Sequence, residues 1–282
     1  MNNNGTILDI IRSTYYQLSP SEQKIASFVL NNADKVQFMS ISELAKMSEV
    51  ADATVTRFCR TLDLNGFNLF KLELAKCTAI RPKKKNYQSK NDEILDIGKQ
   101  CVEEACQAIN ETAELIDPAL ILRAVELFEK ADRVICAGVG GSMIMASECA
   151  HLFSTISARF TAVSDSHLQL AVAATMKSND VLLVFSYSGA TKSGIELLEL
   201  SKRYGTKSVL VTRFQASPMA ELANLTLCCG SKEGPYQMGS VAARVAQLVI
   251  IDILFREYRE RNKEECEESI RRIAAALSDK HI

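Results

Sequence analysis

The chain has 282 residues, of which 47% are hydrophobic and 24% are charged, as in ordinary globular proteins. Its length allows about two domains, and none of its apolar segments is long enough to span a bilayer. The N-terminus lacks the pattern of a secretory signal, and the nine cysteines form no Cys-x-x-Cys pair. We therefore expect a cytoplasmic protein with reduced thiols, no bound metal and no membrane partner.

The charge is distributed unevenly along the chain. Residues 1–90 contain 13 Lys and Arg but eight Asp and Glu, so they carry +5, whereas the remaining residues carry −6. A basic N-terminal segment attached to an acidic body favours an anionic polymer as a partner at the N-terminal end.

Residues 7–78 are predicted to form short helices separated by turns. Ser19 and Pro20 have the pattern of a helix start, and Ser40 and Glu43 have the spacing of a capping box. A helix is expected over about 52–62, with an apolar face that will be buried. Its opposite face carries short polar and cationic side chains: Thr54, Thr56, Arg57, Arg60 and Thr61.

Two short helices joined by a tight turn are typical of a helix-turn-helix. The arginines on the second helix could reach guanine edges or phosphates, and Thr54 and Thr56 could contact thymine methyl groups or phosphates. These residues are therefore candidate DNA contacts. The alternative is a three-helix packing module without a ligand.

A basic linker is predicted over residues 79–92, where Pro82 disfavours a helix. Its lysines, Lys83, Lys84 and Lys85, are candidates for contacts with DNA phosphates. After helices over about 93–115 and 118–130, apolar runs alternate with helical patterns, which predicts a parallel sheet covered by helices. The runs are Val134–Ala137, Phe160–Val163, Val181–Phe185, Ser208–Thr212 and Leu225–Cys229. We thus expect an all-α domain at 1–78 and an α/β domain at 93–282.

Hydroxyl side chains follow the third predicted strand. Ser186, Ser188 and Thr191 lie between this strand and a helical pattern, and Gly189 allows a close approach of the backbone. The N-terminus of a helix attracts anions, and the absence of a P-loop lysine disfavours a nucleoside triphosphate. A phosphate on a small polyol fits better, although an ordinary capped helix has the same pattern.

Several motifs, in this order, resemble those of the RpiR/MurR family of bacterial transcription regulators. They are Ile41–Ala45, Ala53–Arg60, Gly66-Phe67, Gly138–Ser142, Asp165–Leu170, Ser186–Thr191 and Arg244–Leu248. The resemblance covers nearly the whole chain. It implies an N-terminal helix-turn-helix domain and a C-terminal SIS (sugar isomerase) domain, whose parallel sheet binds phosphorylated sugars.

Two residues depart from the family pattern. Glu49 lies in the turn where the family often has Gly, so the turn must close without a glycine. Ala51 replaces the Ser that usually precedes the recognition helix, and we expect Asp52 to provide the cap instead. Both changes affect the predicted geometry of the turn more than the predicted function.

In the implied SIS domain, we assign the phosphate to Ser186, Ser188, Gly189 and Thr191, and the near edge of the sugar to Gly140 and Ser142. The loop at Gly140 lacks the last glycine of a dinucleotide site, so we expect no cofactor. Glu233 follows the last strand and is expected to bind sugar hydroxyls. His167 and Glu233 could be the bases of an isomerase, but a DNA-binding domain favours sensing, so we expect no catalytic residues.

The predicted function is therefore a transcriptional regulator of sugar or amino-sugar metabolism, whose partners are an operator in double-stranded DNA and a phosphosugar effector. The alternatives are a phosphosugar isomerase with an accessory domain and a phosphosugar-responsive protein that binds other proteins. Paired half-sites on DNA require symmetry, so we expect a homodimer or homotetramer. The apolar stretch Val241 to Phe255 is predicted to contribute to that interface.

Overall fold

A computed structural model describes residues 6–78, 89–230 and 240–278 of the chain. The chain divides into two compact units, one formed mainly by residues up to Glu103 and the other mainly by residues from Glu104 onward. Lys83, Lys84, Lys85 and Glu233 lie outside the described residues, so their predicted roles remain predictions. None of the helices in the described ranges is both long and apolar enough to cross a membrane.

The first unit is helical and has its own core. Its helices are α1 (Ile7–Thr14), α2 (Pro20–Val36), α3 (Ile41–Met47), α4 (Asp52–Thr61) and α5 (Phe67–Thr78). Each places apolar side chains at helical spacing toward one cluster, in which Ile25, Leu44, Phe58 and Phe70 are completely buried. The rings of Phe58 and Phe70 meet edge to face, with their centroids 5.8 Å apart.

Local hydrogen bonds define the start of α3, as the sequence predicts. The backbone N–H of Ser40 donates to Glu43 Oε2 over 2.8 Å, and the N–H of Glu43 donates to Ser40 Oγ over 3.1 Å. This reciprocal pair confirms the capping box.

The turn between α3 and α4 closes in a left-handed conformation at Glu49, whose φ is 54°. The N–H of Val50 then donates to the carbonyl of Ala45 over 2.9 Å. A non-glycine residue thus adopts the conformation for which glycine is normally used, at a cost of about 1–2 kcal/mol.

The expectation that Asp52 caps α4 is wrong. Ala51 occupies the N-cap position, where its side chain cannot accept a hydrogen bond, and Asp52 is the first residue of the helix. The carboxylate of Asp52 instead accepts a hydrogen bond of 2.5 Å from Ser42 Oγ. Asp52 therefore ties α4 to α3, which fixes the angle between the two helices rather than the start of the second.

A five-stranded parallel sheet forms the centre of the second unit, in the order β2-β1-β3-β4-β5. Its strands are β1 (Val134–Gly138), β2 (Phe160–Ala162), β3 (Val181–Phe185), β4 (Lys207–Thr212) and β5 (Leu225–Cys228). The helices are α6 (Lys90–Leu115), α7 (Pro118–Lys130), α8 (Gly141–Ser154), α9 (Ser166–Thr175), α10 (Lys192–Tyr204), α11 (Val241–Arg261) and α12 (Lys263–Leu277); the first 14 residues of α6 belong to the first unit. This architecture confirms the predicted fold class.

Helices cover both faces of the sheet. One face packs against α7, α8 and α11, and the other packs against α9 and α10. Because successive strand residues point to opposite faces, a strand between two helical layers must be apolar throughout, and β1 and β3 are. Within α11, Ala246, Ile250 and Leu254 are buried in the core of their own unit. Much of the apolar stretch predicted to contribute to a subunit interface therefore packs inside the unit instead.

Candidate functional site

The carboxyl ends of β1 and β3 place two loops side by side. The two strands are hydrogen-bonded neighbours, and their last residues, Gly138 and Phe185, are register partners. Neighbouring strands lie about 4.8 Å apart, so the chain leaves both strands at nearly the same point. The sheet thus brings together the two loops that the sequence predicts as the phosphosugar site.

Glycines shape the loop after β1. A Cβ at Gly138 would lie 2.7 Å from the carbonyl oxygen of Ser142, so only glycine allows α8 to begin this close to the strand. Gly140 occupies the N-cap of α8 with φ 59° and ψ −127°, a conformation that L side chains avoid. Ser142 follows in the first turn of α8 and is partly buried. The N-terminus of α8 is therefore aimed at the carboxyl edge of the sheet.

The sequence prediction gave no role to Gln169, which holds this loop in place. Its buried amide donates to the carbonyl of Gly138 over 2.9 Å and to that of Val163 over 2.8 Å. It therefore joins the ends of β1 and β2. The only signal in the sequence was a polar residue on the buried face of α9.

In the loop after β3, the hydroxyls have few internal partners. Ser186 is only 4% exposed, and within residues 6–78, 89–230 and 240–278 its Oγ has no hydrogen-bond partner. Ser188 Oγ accepts from the N–H of Ala190 over 3.3 Å. Thr191 is the N-cap residue of α10 but makes no side-chain capping bond, and its Oγ1 contacts Met219 Sδ at 3.7 Å. The start of α10 thus presents hydroxyl donors beside helix-terminal N–H groups, an arrangement suited to an anion.

Gly189 has a structural role that the sequence prediction did not include. Its φ is 60°, and a Cβ there would lie 2.2 Å from Ser217 Oγ, in the segment between β4 and β5. Backbone bonds connect the same two segments: Met219 N–H donates to the carbonyl of Gly189, and Arg213 N–H donates to that of Tyr187. The glycine therefore allows the segment after β4 to pack against the hydroxyl loop.

His167, the other residue considered as a base, lies exposed in the first turn of α9. The N-cap of that helix is Asp165, whose Oδ1 accepts from the N–H of Leu168 over 2.8 Å. Within the described part of the chain, no group of three His, Cys, Asp or Glu side chains is placed to hold a metal ion.

The first unit presents the predicted DNA contacts on α4. Arg57 and Arg60 are exposed, whereas Thr54 and Thr56 are partly buried, and Thr56 Oγ1 donates to the carbonyl of Asp52 over 3.3 Å. The sequence did not reveal that Arg57 has an acidic neighbour on α2. Its Nε lies 3.8 Å from Oε1 of Glu22.

Two family models match the chain. The model described as a helix-turn-helix domain of the rpiR family matches residues 5–81, and the SIS domain model matches residues 127–256. An uncharacterized HTH-type transcriptional regulator from Caldanaerobacter subterraneus is 34% identical over 250 residues, which cover 88% of this chain and 89% of that protein. HexR, an HTH-type transcriptional regulator from Escherichia coli, is 27% identical, with 97% and 94% covered.

A similar solved structure is that of the Vibrio vulnificus NanR protein complexed with ManNAc-6P. The two structures superpose with a TM-score of 0.88 at 27% sequence identity, and the match covers 98% of this chain and 99% of NanR. The similarity therefore includes both the helical unit and the unit that contains the sheet.

Proposed function

Because the chain belongs to the rpiR family of helix-turn-helix transcriptional regulators, we propose that a phosphorylated sugar, bound at the carboxyl edge of its SIS-domain sheet, controls its binding to an operator in double-stranded DNA. The proposed phosphate ligands are Ser186, Ser188, Thr191 and the backbone at Gly189, and Gly140 and Ser142 face the sugar. Glu233 is proposed to bind sugar hydroxyls. Such a regulator works in the cytoplasm, where bacterial DNA lies.

The hydroxyl of Ser186 is the observation that carries this proposal. A buried hydroxyl without a partner costs about 1–3 kcal/mol, so folded proteins rarely keep one without a use. Ser186 Oγ lies at the end of β3, where the loop turns toward the N-terminus of α10. A phosphate oxygen at this position would accept its hydrogen bond and would be stabilised by the helix dipole.

The NanR structure supports the chemical class of the effector. NanR was solved with ManNAc-6P, a phosphorylated amino sugar, and its fold matches this chain over nearly the whole length. We propose a hexose or amino-sugar phosphate as the effector class.

Titration calorimetry with a panel of hexose and amino-sugar phosphates tests the site. Ser188→Ala removes a hydroxyl donor to a charged oxygen, which is worth roughly 1.5–3 kcal/mol, so we expect a loss of affinity of about ten- to a hundredfold. Ser147→Ala, at an exposed position further along α8, is the matched control and should bind like the parent. Equal affinity of Ser188→Ala and the parent, or equal binding of free sugars and their phosphates, would eliminate this site.

Gel-shift titrations test the DNA contacts on α4. Arg57→Ala should weaken binding to the operator, because one good base contact contributes roughly 1–3 kcal/mol of discrimination, while the fold stays intact at this exposed position. Arg12→Ala, at an exposed arginine that pairs with Asp9 on α1, is the control. Replacing Lys83, Lys84 and Lys85 should instead weaken all sequences alike and reduce the salt dependence.

The chain is proposed to sense its ligand rather than to convert it. A sensor gains from binding its effector without consuming it, and His167 is exposed rather than enclosed in a site. Detectable aldose–ketose interconversion by the purified protein would favour the isomerase alternative. We also propose a homodimer or homotetramer, and a monomer by light scattering that still binds its operator would contradict this.

A further inference from the structure

Glu22, on α2, is buried within the helix-turn-helix unit with only 5% of its surface exposed. Both carboxylate oxygens have partners. Oε2 accepts from the N–H and Oγ of Ser19 over 3.0 and 2.6 Å, and Oε1 accepts from Thr61 Oγ1 over 2.9 Å. Thr61 is the last residue of α4, so this carboxylate joins α2 to the end of the recognition helix.

The same oxygen of Glu22 faces Arg57. Arg57 Nε lies 3.8 Å from Glu22 Oε1, while the side chain of Arg57 remains 64% exposed. Among the described residues, the terminal Nη atoms of Arg57 donate no hydrogen bond, and Nε is the guanidinium nitrogen nearest to Glu22. These two atoms form the fork that makes paired hydrogen bonds to guanine O6 and N7. The nearest approach of the acid is thus to the inner, Nε edge of the guanidinium, and the outer Nη fork remains available for a hydrogen-bond partner.

The carboxylate of Glu22 stays charged despite its burial. Burial by itself would raise the pKa of Glu22, but hydrogen bonds from Ser19 and Thr61 and the charge of Arg57 together hold that pKa below its ordinary value. Arg57 is the single cation within ion-pair distance of Glu22 in the described part of the chain. Arg60, on the same face of α4, has no acidic side chain within ion-pair distance in those ranges. Of the two arginines on this face, Arg57 is therefore the one that an acid could position.

We propose that Glu22 is a positioning residue for sequence recognition, which fixes Arg57 so that its Nη fork faces the base edges of the operator. This inference rests on the proposed function, because it assumes that α4 reads DNA. A free arginine must give up side-chain entropy to make a paired contact, and an arginine that is already positioned loses less. An arginine whose side chain is not positioned can also bind phosphates instead of bases. Phosphate contacts carry no sequence information, so this weakens the preference for one sequence.

The substitution Glu22→Gln tests the proposal in the full-length protein. The probes are a duplex selected by the parent protein from a random pool and a scrambled duplex of the same composition. The partly exposed ion pair contributes on the scale of surface pairs, so we expect the ratio of the two affinities to fall by roughly two- to fivefold. Binding to the scrambled duplex should not weaken, because the protein loses a negative charge.

Two further variants separate positioning from stability. In an Arg57→Ala background, Glu22→Gln should leave the affinity ratio unchanged, because the residue that it positions is absent. Ser19→Ala removes a hydrogen bond to the other oxygen of Glu22, so it should lower the thermal stability without changing the ratio. If Glu22→Gln is unfolded at the assay temperature, Arg57→Lys replaces it as the test. Lysine keeps the positive charge but has no fork to position, so the affinity ratio should fall.

The outcomes distinguish this inference from the function on which it rests. A parent protein that does not discriminate between the two duplexes overturns both. A discriminating parent whose ratio is unchanged by Glu22→Gln overturns the positioning role alone. The positioning role is also overturned if Glu22→Gln lowers the affinity ratio as much in the Arg57→Ala background as in the parent, or if Ser19→Ala lowers the ratio as much as Glu22→Gln does. It is overturned as well if Arg57→Lys retains the parent's ratio.

Discussion

Replacing Ser186 by alanine should change stability and ligand affinity in opposite directions. The buried Oγ of Ser186 has no hydrogen-bond partner in the part of the chain that the structure describes, so without a ligand its removal should raise the free energy of unfolding by about 1 kcal/mol. For a unit of this size, that corresponds to an increase in Tm of roughly 2–4 °C. With the effector bound, the same hydroxyl would donate to a phosphate oxygen. The affinity should therefore fall by about ten- to a hundredfold.

Thermal unfolding with and without the sugar phosphate identified by calorimetry measures both effects in one experiment. Ser201→Ala is the matched control, because Ser201 is also buried in this unit but donates to the carbonyl of Thr206 over 3.0 Å. Its loss should lower Tm without changing the affinity. If Ser186→Ala lowers the Tm of the ligand-free protein as much as Ser201→Ala does, the hydroxyl already has a partner, and the argument from Ser186 fails.

Three other predictions concern stability. Gly189→Ala should destabilise the sheet unit by about 1–2 kcal/mol because of the left-handed φ alone, and the contact of the new Cβ with Ser217 should add to this loss. Thermal unfolding of Gly189→Ala with and without Ser217→Gly would separate the two contributions. Burial would raise the pKa of Asp180, but the hydrogen bond and charge of Arg133 hold it below the ordinary value of 3.8. The contribution of this carboxylate to the free energy of unfolding is therefore complete above about pH 4 and is lost as the pH falls through the lowered pKa. Asp180→Asn should flatten this pH dependence in urea titrations. Phe58→Ala should cost the helical unit about 3–5 kcal/mol by chemical denaturation, and a loss below 1 kcal/mol would contradict the described core.

The elements could be predicted from the sequence because their signals are local. The capping box at Ser40 depends on residues three positions apart, and the uniformly apolar runs Val181–Phe185 and Val134–Ala137 indicate strands covered on both faces. The same reasoning predicted that the loops at Gly140 and Ser186 both follow strands, but the strand order that makes them neighbours comes from the structure. The sequence also predicted that α4 has an apolar and a cationic face.

The interactions that could not be predicted from local sequence patterns join residues that lie far apart in the chain. Asp52 accepts from Ser42, ten positions away, and the conformation of Gly189 accommodates Ser217, 28 positions away. The bond from Thr61 to Glu22 spans 39 positions. A capping residue and a tertiary acceptor have the same local pattern, so only the packing of the helices decides which role an acid takes. The assignments of individual residues to sugar and DNA remain predictions.

Backbone hydrogen bonds connect the hydroxyl loop to the segment between β4 and β5. The carbonyl of Tyr187 accepts from Arg213 N–H and Thr212 Oγ1, and the carbonyl of Gly189 accepts from Met219 N–H. These carbonyls belong to the same short loop as the hydroxyls of Ser186 and Ser188. A peptide plane is rigid, so a rotation that turns an N–H toward a phosphate must also turn the carbonyl in that plane. If the loop rearranges around an anion, its bonds to the segment between β4 and β5 must therefore move or break, so we expect that segment to move together with the loop.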